Sequence, residues 1–309
     1  MRELVLIAAA GAAMLFGCSS PPASAPGAPS GPQAAAAPVP TLPPLPPGTA
    51  MTVRVMSYNV LWGGGIDRRF EANYLGWQRP LFAGRNRLAD IVSVIEEARP
   101  DILAVEEAAG WEEGSPSPAE DLARRLGMHY YLARNPYEIN TALFSRFEIE
   151  SVLDLVPYFG SNSGLVAVLR LPDGSSLAVA AVHLDPFTSR MRSCQLDVLL
   201  EALKPFEGRR VLLLGDMNFR LPNAAEAAKL RDAGWGLLAV EETYRIDQVW
   251  ARPAEGLQAE PLWTAATVPG REPLLSDHFP VGATVTVQGE TADAPEIATP
   301  RTTCVPEPR

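Results

Sequence analysis

The sequence predicts an α/β domain, on the strength of three observations. Val211 to Leu214 is an unbroken apolar run that ends in Gly215; without polar alternation it reads as a strand buried on both faces. Arg87 to Arg99 sets Leu88, Ile91, Val92 and Ile95 at helical spacing, stops at Pro100, and leads into the short apolar run Ile102 to Val105. The same alternation returns where apolar Leu177 to Val182 is followed by Ser189 to Lys204, whose Leu196, Leu199, Leu200 and Leu203 share one stripe. Strand and helix periods alternating along one chain are the pattern of helices laid on sheets.

Taken in order, Thr52 to Leu61 begins as an alternating strand and turns apolar, with Asn59 near its end before the loop Gly63-Gly64-Gly65. After the first helix and the strand Ile102 to Val105 come Glu106 and Glu107. Side chains alternate along a strand, so only one of the two is expected to face the pole of the domain that Asp216 faces. Gly110 to Pro118 is a loop and Ala119 to Leu126 a short helix. His129 to Ala133, Thr141 to Phe144, Glu148 to Leu155, Gly164 to Leu171 and Ser176 to His183 read as strands, the last two joined by the hairpin signal Pro172-Asp173-Gly174-Ser175. Beyond the strand at Val211, Asp216 and Asn218 stand two apart and project the same way in extended chain. Ala224 to Ala233 is helical. Arg245 to Trp250 is a strand that carries Asp247, a charge that needs a partner. Ser276-Asp277-His278 opens the last strand, Phe279 to Val287.

The two ends differ from this domain. Met1 to Cys18 has Arg2 near the start, an apolar run from Leu4 to Phe16, and small Gly17, the layout of an export signal. Leu15-Phe16-Gly17-Cys18 resembles a bacterial lipoprotein box with Cys18 as the lipidated residue; an ordinary cleaved signal is the alternative. Ser19 to Ala50 holds no charged residue and is dominated by Pro, Ala and Ser, so 19–50 reads as a disordered tether. The domain spans 51–288, and the polar stretch 289–309 reads as a disordered tail. This organisation implies export to the cell envelope, with the outer membrane the expected site, through an N-terminal lipid anchor. A monomer is expected.

Composition narrows the function. With 47% hydrophobic residues in 309 there is ample core, and the formal charge of −10 argues against a basic surface that coats nucleic acid. Carboxylates do suit a protein that holds a divalent cation. No Walker phosphate loop is present, and Gly63 to Gly65 lacks its lysine. Gly160 to Gly164 has the outline of a serine-hydrolase elbow, but Asn162 occupies the nucleophile's place. No cysteine pair has zinc spacing. With Cys18 lipidated, Cys194 and Cys304 remain, an even number for an oxidising compartment. Cys194 lies roughly 160° around its helix from Leu196 and is expected to face outward. The tail is long enough to bring Cys304 to it, so a bridge and two free thiols both stay open.

Six short motifs fall in one order: S-Y-N-V at Ser57, D-I-L-A-V-E-E at Asp101, V-H-L at Val182, G-D-M-N at Gly215, R-I-D at Arg245 and S-D-H-F-P at Ser276. In that order they resemble the endonuclease/exonuclease/phosphatase superfamily, the deoxyribonuclease I-like proteins. The resemblance implies a four-layer α/β sandwich, two mixed sheets face to face with helices outside. It also implies a metal-dependent hydrolase of phosphoric esters, with Mg²⁺ or Mn²⁺ as cofactor. By resemblance Glu107 and Asp277 are the metal contacts, and Glu106 stands where the family usually has glutamine. Asn59 lies near the metal and scissile phosphate. Asp216 orients or deprotonates the attacking water, and Asn218 is a phosphate ligand. His183 and His278 hydrogen-bond the phosphoryl oxygens, and Asp247 pairs with His278. Histidines made cationic by neighbouring carboxylates would reinforce the neutralisation of phosphate charge. An exported nuclease or general phosphodiesterase leads among substrate classes; nucleic acid, phospholipid and small phosphodiesters are the partners in view. A sphingomyelinase-like phospholipase or a phosphatase is the alternative, and a tethered binding protein without turnover is the rival of a different class.

Overall fold

The structure is a computed structural model that describes residues 39–63, 87–137, 139–253, 258–270, 275–288 and 293–306. The export signal with Cys18, the tether up to residue 38 and Gly64 and Gly65 lie outside the described residues. Two six-stranded sheets form the domain. The first contains β1 (Met51–Asn59), β2 (Ile102–Glu106), β3 (His129–Ala133), β4 (Thr141–Ser145), β11 (Ala259–Pro261) and β12 (Val281–Val287), in the order β11-β12-β1-β2-β4-β3. The second contains β5 (Glu148–Asp154), β6 (Ser163–Arg170), β7 (Ser176–His183), β8 (Val211–Asp216), β9 (Gly236–Val240) and β10 (Asp247–Arg252), in the order β5-β6-β7-β8-β10-β9. Each sheet is mixed: β1 and β2 run parallel, as do β7 and β8, and the remaining pairs are antiparallel.

The apolar runs are explained by three buried layers. Leu212 and Leu214 point between the sheets, against Val55, Ala104 and Leu143. Their neighbours Val211 and Leu213 point the other way, under α3 (Val156–Phe159), α4 (Ser189–Ala202) and α5 (Ala225–Asp232). On the far side, α1 (Leu88–Ala98) and α2 (Pro118–Leu126) cover Met56, Tyr58, Leu103 and Val105. A strand covered on both faces has no place for polar alternation, and the result is the four-layer α/β sandwich expected from the resemblance. α2 is bounded by local chemistry: Ser117 and Glu120 form a capping box, Pro118 opens the first turn, and Gly127 closes the helix at φ 63°. Among the described residues no helix is long and apolar enough to cross a membrane.

The expectation of a disordered tail is corrected for 293–306. Ile297 and Cys304 are buried in the layer of α3 and α4. Ala298 N–H donates to Ala202 O, Cys304 N–H to Tyr158 O, and Glu201 accepts from the backbone N–H groups of Arg301 and Thr302. Cys304 is joined to Cys194 by a disulfide, with 5.8 Å between their Cα atoms. Cys194 lies on the outward side of α4, as its helical position predicts, and is half-buried beneath the tail. The tail backbone lies so close over α3 that a Cβ at Gly160 would stand 2.1 Å from Cys304 O. Two buried side chains and a cross-link hold a segment whose average composition is that of free chain.

Candidate active site

The sheet registers gather the functional side chains at one pole. In the second sheet His183 is paired with Asp216, and Asp216 with Asp247. In the first sheet Asn59 is paired with Glu106, and Glu106 with Thr141. These are strand-end positions, so the polar side chains emerge where the buried apolar layers stop. Gly215 makes the close pairing possible: a Cβ there would stand 1.8 Å from Val182 O. The glycine is required by the approach of β7 to β8.

Asp216 Oδ2 is the meeting point. It accepts a hydrogen bond from Asn59 Nδ2 at 3.1 Å, and it lies 3.5 Å from His183 Nε2 and 3.7 Å from His278 Nε2. The other carboxylate oxygen, Oδ1, accepts from Asn218 N–H at 2.9 Å. Asn218 sits at φ 49°, and this left-handed turn aims its amide at Leu184 O, 2.9 Å away. An amide NH₂ carries two hydrogens, so one donor remains for a further acceptor. Asn59 also donates to Glu107 Oε1 at 3.3 Å, while its Oδ1 accepts from Leu61 N–H. Its orientation is therefore fixed from three sides.

The partner needed by Asp247 is His278: Nδ1 of the imidazole lies 2.8 Å from Asp247 Oδ2. Burial works against a charged His278, but the carboxylates of Asp247 and Asp216 outweigh it and hold the ring well above the ordinary histidine range. His183 goes the other way. Its burial dominates and lowers it, with Asp216 only partly opposing. Of the two histidines expected to be biased toward the cation, His278 is so biased, whereas burial biases His183 toward the neutral form. Ser276 ties the His278 loop to the first sheet by donating to Asn59 O at 2.7 Å, and it accepts from His278 N–H at 3.1 Å.

Glu106 and Glu107 overturn the alternation argument. Glu107 has φ 56°, a left-handed turn that breaks the strand, so both carboxyls are drawn toward the pole. Glu106 Oε1 accepts from Ser57 Oγ at 2.8 Å, and the carboxyl lies within the field of Asp247, Asp216 and His278. Burial raises it well above the ordinary carboxylate range. Glu107 is pushed up to about 8 by burial and by the nearby charge of Asp277. The Oε2 atoms of both glutamates are buried without a hydrogen-bond partner. Such orphaned acceptors beside a second carboxylate are the donor set that a hard cation satisfies. Asp216, Asp247 and His278 also offer ligand atoms within 4.8 Å of one another. There His278 lies against one oxygen of each carboxylate, while Asp247 Oδ1 is buried without a partner.

Two residues that brace the site were not read in that role from the sequence. Asn162 Nδ2 donates to Leu184 O at 2.8 Å, sharing that carbonyl with Asn218. Gln195, fully buried on α4, donates to Phe159 O and Ser161 O and accepts from Asp185 N–H. These bonds hold the loop that follows His183. Polar residues on an otherwise apolar stripe were the available signal.

Comparison with known proteins identifies the family and the fold. A family model described as "Endonuclease/Exonuclease/phosphatase family" matches residues 56–278. No curated protein matches the sequence. Among solved structures, ANGEL2, a 2',3'-cyclic phosphatase, aligns with TM-score 0.59 at 16% identity, covering 77% of this chain and 95% of that one. TDP2 of D. rerio complexed with a single-strand DNA product aligns with TM-score 0.54 at 17% identity, over 76% and 99% of the two chains. The endonuclease/exonuclease/phosphatase of Beutenbergia cavernae DSM 12333 aligns with TM-score 0.54 at 19% identity, over 77% and 72%. The fold, the six motifs in order and the family match together establish that this chain belongs to the endonuclease/exonuclease/phosphatase family.

Proposed function

We propose that this protein is a divalent-metal-dependent phosphoesterase that hydrolyses phosphodiesters by in-line attack of water, acting as an exported nuclease or general phosphodiesterase. The observation that carries the reading is the buried Asp216 carboxylate, in reach of Asn59, His183 and His278 at once. In this reading Asp216 orients a water and takes its proton as the water oxygen bonds to phosphorus and the opposite P–O bond breaks. Asn59 fixes the carboxylate. The cationic His278, steadied by Asp247, offers its Nε2–H to a phosphoryl oxygen, and His183 and the spare N–H of Asn218 bind further oxygens. Glu107 and Asp277 would hold the ion. When bound, Mg²⁺ or Mn²⁺ supplies neutralisation of charge on the non-bridging oxygens. The solved relatives described as a 2',3'-cyclic phosphatase and as a complex with a single-strand DNA product favour nucleotide phosphoesters among the substrate classes.

Export is part of the proposal. Its supports are the apolar leader ending at Cys18, the uncharged tether, and the Cys194–Cys304 disulfide, a bond that persists in oxidising compartments. Lipidation of Cys18 would set the domain on the membrane surface of the envelope.

Glu107→Gln is expected to lower turnover of bis-p-nitrophenyl phosphate by about a hundredfold or more and to weaken Mn²⁺ binding measured by calorimetry. Full activity in EDTA, or an unchanged Mn²⁺ affinity, would contradict the metal assignment. Asp247→Asn removes the first cause that raises His278 and leaves the burial that lowers it. The variant should therefore lose about tenfold at pH 6 and about a hundredfold at pH 8, with the alkaline limb of the rate profile moved to lower pH. A profile of unchanged shape would make Asp247 a structural residue. Cys18→Ser should shift the protein from the membrane fraction to the soluble one and remove lipid mass from the N-terminal peptide; persistent membrane fractionation would rule the anchor out.

A further inference from the structure

Among the described residues, three exposed aromatic rings stand on loops at the catalytic pole: Tyr137 is 76% exposed, Phe187 61% and Tyr244 39%. Tyr137 lies in the β3–β4 connection, which returns to the chain at Asn140 and Thr141. Phe187 follows His183 by four positions and Tyr244 precedes Asp247 by three. Exposed rings on a loop are often free to swing. These are carried on backbone that is braced, each in the same way. Asn135 Oδ1 accepts from Tyr137 N–H at 2.8 Å, Asp185 Oδ1 from Phe187 N–H at 2.9 Å, and Glu241 Oε2 from Tyr244 N–H at 2.6 Å. All three bracing side chains are themselves buried. The Glu241 carboxylate also accepts from Thr243 and Arg245 N–H. The turn it organises is bonded to the Asp216 loop, because Met217 N–H donates to Ile246 O at 2.9 Å.

Tyr244 is placed most exactly. Its ring lies nearly parallel to that of Phe279, 8° between planes and 6.4 Å between centroids. Phe279 is the residue after His278. The two rings are therefore carried on the same two segments as the Asp247–His278 pair, and the stack flanks that pair. Apolar groups that ring a site for phosphate esters can receive either a planar base or an acyl chain. Parallel rings on rigid turns suit a planar partner, which extends a stack at little cost in ordering. The net charge of −10 disfavours neutralising the dense phosphates of a duplex, and duplex bases are already stacked on each other.

We infer that the rim of Tyr244, Phe187 and Tyr137 is a base-stacking platform, and that the substrate is single-stranded nucleic acid whose bases seat on these rings while the phosphodiester enters the pole. The inference rests on the phosphodiesterase reading for the chemistry, but the stacking can be measured without it. Base–aromatic stacking contributes about 1–3 kcal/mol per base. The wild-type protein should accordingly cleave a single-stranded oligodeoxynucleotide with a kcat/KM at least about tenfold above that for an abasic strand of equal length. Tyr244→Ala should collapse that ratio toward one, and Tyr244→Trp should restore it, an outcome that a purely structural role for Tyr244 would not give. In EDTA, titration of a 2-aminopurine-labelled oligonucleotide should show quenching with the wild type and not with Tyr244→Ala, whether or not the protein turns over. Equal ratios and equal quenching in wild type and Tyr244→Ala would overturn the inference. So would a Tyr244→Ala variant that loses turnover of sphingomyelin or phosphatidylcholine vesicles and keeps its preference for base-bearing strands. Quenching without any phosphodiester cleavage would uphold the platform and contradict the proposed reaction.

Discussion

The pole depends on one buried carboxylate. Asp216 ends β8, and its Oδ2 is the acceptor on which Asn59, His183 and His278 converge from three different segments. A carboxylate nearly excluded from water is tolerated only with donors around it. The surroundings supply them through geometry set elsewhere: the parallel register of β7 and β8, the antiparallel register of β8 and β10, and the glycine that lets Val182 O approach. A one-residue slip in any of these registers would turn the side chain into the apolar layer. The core packing and the chemistry are thus linked through strand register.

The electrostatics follow from crowding. Burial raises the cost of ionising Glu106 and Glu107, and the charges of Asp247 and Asp216 add to it at Glu106 and those of Asp277 and Asp216 at Glu107. Two remedies are visible. One is the bias of His278 toward its charged form, which Asp247 and Asp216 favour against burial. The other is the demand for a further cation at Glu107, whose buried Oε2 has no donor and whose proton affinity is raised. In the proposed reading, a phosphodiester at this pole would meet His278 on one side and an ion held by Glu107 and Asp277 on the other, with Asp216 between them. That division of labour is suited to transferring phosphorus from an ester oxygen to water.

Much of this was legible in the sequence because buried strands and strand-end polar residues are local signals. The run Val211 to Leu214 could hardly be anything but a doubly covered strand, whereas the extended-chain argument for Asp216 and Asn218 fails because the strand ends at Asp216 and Asn218 lies in a left-handed turn. The order of six motifs carried the sandwich. What failed depended on backbone turns and on distance. The φ of Glu107 is invisible in E-E, so the two glutamates were expected to face opposite ways. The bias of His183 toward its neutral form comes from burial that only the packed layers create. α3, β9 and β11 are too short or too weakly patterned to stand out, and the tail looked free because two buried residues, Ile297 and Cys304, hold it in place. Gln195 braces the His183 loop from the middle of a helix whose stripe read as leucines.

The most direct test of the account is the stereochemistry at phosphorus. A phosphorothioate diester of single configuration can be hydrolysed in isotopically labelled water and the configuration of the product thiophosphate read. Direct attack by a water aligned on Asp216 predicts inversion. Retention would require two displacements through a covalent enzyme intermediate, and it would contradict the role assigned to Asp216 and the site built around it.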